Sequence, residues 1–209
     1  MSKLKRFARR LYSVLYRACQ WLASLEADRE LARRDSARGQ GKYHWLTEEE
    51  SSVAGELAKI IVPSDEETPG LDDIDVLGPS AVEMLDKLLH SDSGKQKIYA
   101  RGLLAFESWA SRKHGRRFSQ LDVTDQSAMF REAQQYSEKL QSGSKAIQAW
   151  RSLSGVMRAA DGRFFAAQLY PEIRKDFLQV FYTSRVSWVW LEYDGPPMDE
   201  GYPRLARRR

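Results

Sequence analysis

One cysteine, Cys19, and three scattered histidines, His44, His90 and His114, leave this 209-residue chain poor in the side chains that build metal and haem sites. A lone thiol excludes an intramolecular disulfide, every multi-cysteine metal site and the C-x-x-C-H haem attachment motif. The histidines are too far apart for H-E-x-x-H or any paired ligand spacing, so they read as surface or capping residues. Long apolar runs are missing too, and so are a Walker loop, a G-x-G-x-x-G turn after a strand, a G-x-S-x-G elbow and any Cys/His pair. With them go the common nucleotide-binding and nucleophilic chemistries. The acids offer no pair set in an apolar pocket that would raise a catalytic pKa. These absences favour a binding protein over an independent helical enzyme.

What is present is a soluble, globular balance, 42% hydrophobic and 30% charged, enough for one domain with a sizeable core plus extensions. The net charge of +4 is unevenly spread. Residues 1–42 carry eleven Lys or Arg against four acids, and Arg204 to Arg209 add four arginines, which leaves the body, 43–203, at −7. An acidic body without a continuous basic helix face argues against nucleic acid as a partner.

The chain divides into a basic amphipathic helix with a polar linker (1–44), a helical domain (45–203) and a basic tail (204–209). In the first part Leu4, Phe7, Leu11, Val14, Leu15, Ala18, Leu22 and Leu25 recur at steps of three and four, with Lys and Arg on the other faces. Arg17 near the middle and the short apolar run exclude a transmembrane span. Three readings stand: a helix docked on the body or a partner, a membrane-surface contact through residues 3–25, and a twin-arginine remnant at Arg9-Arg10.

The body opens at Leu46-Thr47-Glu48-Glu49-Glu50, where Thr47 as N-cap and Glu50 three residues later make a capping box. Val53, Ala54, Leu57, Ile60 and Ile61 form its apolar stripe, which Pro63 ends. A loop with six acids follows: Asp65, Glu66, Glu67, Asp72, Asp73 and Asp75. It lacks the EF-hand pattern and reads as solvated. Further helices are expected from Pro79, with Leu85 and Leu89 inward, and through Tyr99, Gly102, Leu103, Phe106 and Trp109 to Gly115. Thr124 is the expected cap of the helix carrying Met129, Phe130, Ala133 and Tyr136. A last pair of helices, at Phe164 to Leu169 and Phe177 to Phe181, is expected to break near Pro171. Strand alternation is confined to Val186 to Leu191, so the fold class is all-α, a compact bundle with a long irregular aromatic tail.

That tail is dense in rings. Tyr182, Trp188, Trp190, Tyr193 and Tyr202 surround a Gly195-Pro196-Pro197 turn, and partly exposed aromatics at this density mark an interface as readily as a core.

The LTEEE start, Ala58 to Asp65 with Pro69-Gly70, the Phe164-Phe165 pair and the tail from Tyr182 to Pro203 together resemble the gluconate 2-dehydrogenase subunit 3 family over residues 45–203. The resemblance implies a small helical subunit with no cofactor of its own. It would bind and stabilise a large FAD-dependent dehydrogenase of the glucose-methanol-choline (GMC) type acting on a sugar, glycoside or polyol, with a cytochrome c subunit often receiving the electrons. The typical small subunit also carries a twin-arginine signal and escorts its partner, which implies a periplasmic or membrane-associated location. Here the unbroken apolar h-region is missing, and a cytoplasmic location is the alternative. On the same resemblance Tyr182, Trp188, Trp190, Tyr193, Gly195, Pro196, Pro197 and Tyr202 are the expected partner contacts, with the two tryptophans as anchors. The alternative function is a stand-alone helical interaction protein at a membrane surface or on nucleic acid.

Overall fold

The structure is a computed structural model, and it describes residues 29, 32–35, 38, 41–76, 78–141 and 163–193. The expected N-terminal amphipathic helix, a helix that the spacing of Ile147, Trp150, Leu153 and Met157 also predicts, and Gly195, Pro196, Pro197 and Tyr202 lie outside the described residues. From Glu48 on, the described residues form, in order, α1 (Glu48–Ile61), α2 (Ala81–Ser91), α3 (Ser93–His114), α4 (Val123–Gln141), α5 (Arg163–Thr183) and α6 (Arg185–Trp190). Short 3-10 turns at Leu71–Val76 and Phe118–Gln120 join α1 to α2 and α3 to α4. No strand occurs among the described residues, so the all-α bundle stands.

The helix starts follow from local hydrogen-bond chemistry. Thr47 closes the expected capping box on Glu50, and Ser80 makes a second one with Glu83. The second helix therefore begins at Ala81, two residues past Pro79, with Ser80 rather than the proline setting its end. On α4 the capping carboxylate is Asp122, which accepts from Asp125 N at 2.8 Å, while Thr124 sits exposed inside the first turn. An ionised carboxylate at the positive end of the helix dipole is the better acceptor. Gly115 ends α3 in the left-handed conformation (φ 68°), which glycine adopts without a Cβ penalty.

Around α5 the bundle closes, because this helix lies along α3 and α4 and also meets α2 and α1. It runs unbroken through Pro171, contrary to the expected interruption. A proline inside a helix costs about 3 kcal/mol, whereas burying a Leu, Ile or Phe side chain contributes about 1.5–3 kcal/mol. Leu169, Ile173 and Phe177 flank it and are wholly buried, so their packing outweighs the lost hydrogen bond. Across the α3–α5 seam Gly102 is indispensable in size: a Cβ there would stand 2.4 Å from Leu169 Cβ.

Three buried carboxylates tie distant segments into this core. Asp86 on α2 accepts from the backbone of His44 (2.7 Å), Trp45 (2.9 Å) and Leu46 (2.8 Å), fixing the approach to α1. Glu50 takes both Arg38 guanidinium nitrogens at 2.9 Å, and the same guanidinium lies 3.9 Å above the Trp45 ring. The stretch read as linker is thus held at Arg38 by a bidentate pair, the strongest geometry for such a contact. Asp176 on α5 accepts from Lys95 Nζ (2.6 Å) and Tyr99 Oη (2.7 Å) of α3. Burial, then the Asp176 hydrogen bond, pushes the Tyr99 phenol far above its usual range, so Tyr99 serves as a permanent donor.

Candidate partner-docking site

At Ser184 the chain leaves α5 and turns into α6. The Ser184 hydroxyl donates to Phe181 O at 2.7 Å and accepts from Ser187 N at 3.2 Å, so one buried side chain ends the first helix and caps the second. The start of the expected irregular tail, where Val186 to Leu191 alternate, is therefore a helix through Trp190. Alternation of apolar residues over so short a run fits either element, and the serine cap decides.

The far end of α6 is closed by a Schellman arrangement. Glu192 N donates to Val189 O at 3.1 Å and Tyr193 N to Trp188 O at 2.7 Å. Its accompanying ring contact is Trp188 against Tyr193, edge to face with centroids 6.2 Å apart. The left-handed position belongs to Glu192 (φ 54°), a residue with a Cβ where glycine is usual.

This geometry sorts the expected contact residues. Phe177 and Phe181 face inward as core. Trp188 is half-buried, its indole N–H donating to Tyr182 O at 2.8 Å, so it braces the turn and offers only part of its ring. Outward stand Tyr182 (56% exposed), Trp190 (42%) and Tyr193 (43%). The sequence reading missed Val189 (65% exposed) and Leu191 (49%), which complete the same ridge. Ser184 with Ser187 three residues on was the available signal, since a helix from that cap puts Val189 outside. Trp190 also reaches back across the fold. Its ring lies 6.4 Å from Phe181, and its N–H donates to Glu67 O in the acidic loop at 3.2 Å.

Elsewhere the described residues supply little chemistry. His44 and His90 are exposed and face each other at 5.6 Å, while His114 Nδ1 stands 3.3 Å from Asp125. Among the described residues no cluster of three His, Cys, Asp or Glu could hold a metal ion, and no helix is long and apolar enough to cross a membrane. A cleft of about 300 Å³ between Trp45 and α3 is lined by Arg38, whose donors are already committed to Glu50, Asp35 and Trp45 O.

Against known families, residues 48–195 match the model described as gluconate 2-dehydrogenase subunit 3, over more than half of the chain. The chain belongs to the gluconate 2-dehydrogenase subunit 3 family. The family is that of the accessory small subunit of a dehydrogenase complex. Neither the curated proteins nor the solved structures gave a match. The matched region takes in α1 to α6, so the ridge is part of the family domain rather than an appendage to it.

Proposed function

We propose that this chain is the non-catalytic small subunit that binds and stabilises a large FAD-dependent dehydrogenase of the GMC type, and that the α5–α6 ridge is its docking face. The observation that carries this reading is the ridge itself. Tyr182, Val189, Trp190, Leu191 and Tyr193 are each more than 40% exposed in one short stretch of a family domain whose members are accessory subunits. Contiguous exposed aromatics of this kind mark protein interfaces, and Trp and Tyr supply most of the energy where they enter a pocket.

FAD belongs to the partner in this scheme. Dinucleotide sites are built where a strand turns through glycines into a helix, and the family resemblance assigns that site to the large subunit. The substrate is a sugar, glycoside or polyol bound by the large subunit, and a cytochrome c subunit is the electron acceptor. The complex resides in the periplasm or on the membrane. The basic segment 3–25 is its membrane-surface contact, a reading that rests on sequence pattern alone.

The test is co-purification of the tagged full-length chain with the large flavoprotein subunit. Val189→Asp places a charge on the most exposed residue of the ridge, where little internal packing is lost. It should remove the flavoprotein from the eluate while the thermal midpoint moves by no more than about 2 °C. Retention of the flavoprotein at the wild-type level would overturn the docking role of the ridge.

A further inference from the structure

The ridge has a charged border. Through its bond to Glu67 O, Trp190 seats α6 beside the loop that carries Asp65, Glu66 and Glu67, all exposed. At the other side Glu192 is exposed as well, held in the left-handed conformation that a glycine would occupy at less cost. None of the ion pairs among the described residues engages Glu66, Glu67 or Glu192. Asp65 differs, since its carboxylate turns inward to the backbone N–H groups of Glu67 and Thr68 and is held below the usual range, first by Thr68 and then by those amides. Arg185, at the opposite end of α6, supplies a cation there.

We propose that the ridge and this carboxylate border act as one docking surface, whose occupant is an apolar cleft of the large subunit rimmed by lysine or arginine. The proposal rests on the docking reading above and adds the chemistry of the partner's side. Three carboxylates that form no ion pair among the described residues, set beside exposed rings, repel anionic lipid and polyanions, and they attract a cationic rim through water before the rings make contact. Rim charges of this type govern the approach and the choice of partner, whereas the rings govern how long the complex lasts. Glu66, Glu67 and Glu192 are therefore specificity residues, and Trp190 and Val189 are the anchors.

The experiment measures association of the purified full-length chain with the large flavoprotein subunit over about 0.05 to 0.5 M ionic strength, where screening removes surface attraction. Wild type should bind more weakly as salt rises. The triple variant E66K/E67K/E192K should bind about tenfold more weakly at the low-salt end, with the salt dependence flattened or reversed, and E66Q/E67Q/E192Q should fall between the two. Circular dichroism of each variant checks that helix content is kept. If both triple variants bind as wild type at every salt while Trp190→Ala binds weakly, the cationic rim is refuted and the docking ridge stands. If Trp190→Ala and the triple variants all bind as wild type, both readings fall.

Discussion

Adding a single methyl group at Gly102 should do more damage than removing most surface side chains. On an exposed helix Gly→Ala stabilises by about 1 kcal/mol, because alanine loses less backbone freedom on folding. Here the new Cβ would lie 2.4 Å from Leu169 Cβ, 2.7 Å from its Cδ2 and 2.9 Å from its Cγ, against the roughly 3.5–4.0 Å of ordinary carbon contacts. Neither helix can absorb more than 1 Å of overlap by a rotamer change, since the shortest contact is to a Cβ. α5 must shift away from α3. Overpacking of this kind costs about 1–3 kcal/mol, and a clash fixed to the backbone belongs at the upper end. After the propensity gain, Gly102→Ala should lose about 2 kcal/mol, a fall in Tm of about 4–8 °C for a domain of this size. Thermal unfolding followed by circular dichroism reads this directly. Leu169→Ala in the Gly102→Ala background should not restore stability, because the offending Cβ remains and a cavity is added. A Gly102→Ala chain as stable as wild type would refute the close-packed α3–α5 seam. Because α5 carries α6, the docking role proposed for the ridge implies that the same variant should also weaken retention of the proposed flavoprotein partner.

The remaining expectations concern the buried carboxylates and acid. Asp176→Ala strands Lys95 and Tyr99 without their acceptor and should cost about 3–5 kcal/mol in urea unfolding, whereas Tyr99→Phe should cost only about 1 kcal/mol. Equal losses would show that the carboxylate is not the hub. Asp86→Ala removes the shared acceptor of three amides, so hydrogen exchange at His44, Trp45 and Leu46 should accelerate at least about tenfold while the centre of α3 stays protected. Uniform acceleration would instead report global destabilisation. Glu83 is held below its ordinary 4.5 by its hydrogen bond to Lys42 and then by the Ser80 amide, so the stability it contributes is complete above pH 4.5 and fades as pH falls through its lower folded value. A carboxyl NMR titration should place Glu83 below 4.5 in wild type and nearer to it in Lys42→Ala; a midpoint unmoved by that substitution would reject the pair.

Local chemistry was legible without coordinates wherever it was complete within a few residues. The Thr47–Glu50 box, the stop at Pro63 and the left-handed cap at Gly115 each involve neighbours in the chain, so their residue types announce them. The same is true of the helical stripes and of the ring-rich stretch that carries the family resemblance. The break expected at Pro171 and the irregular tail expected from Val186 to Leu191 are both helix, for one shared reason. A proline and a short alternating run state weak preferences, which the packing around α5 and the Ser184 cap overrule.

What the sequence alone determined is an all-helical body, acidic between basic ends, with a ring-rich C-terminal stretch. Only the tertiary structure decided which rings face water. Phe177 and Phe181 turn inward while Tyr182, Val189, Trp190, Leu191 and Tyr193 turn outward. That choice depends on where α5 meets α3 and α4, and on a hydrogen bond between Trp190 and Glu67, 123 residues apart. The pairings of Asp86 with 44–46 and of Asp176 with Lys95 and Tyr99 also join residues far apart in the chain, from 40 to 81 positions. Contacts of that range leave no periodicity behind, because hydrophobic pattern records which side of a helix is covered and says nothing of what covers it.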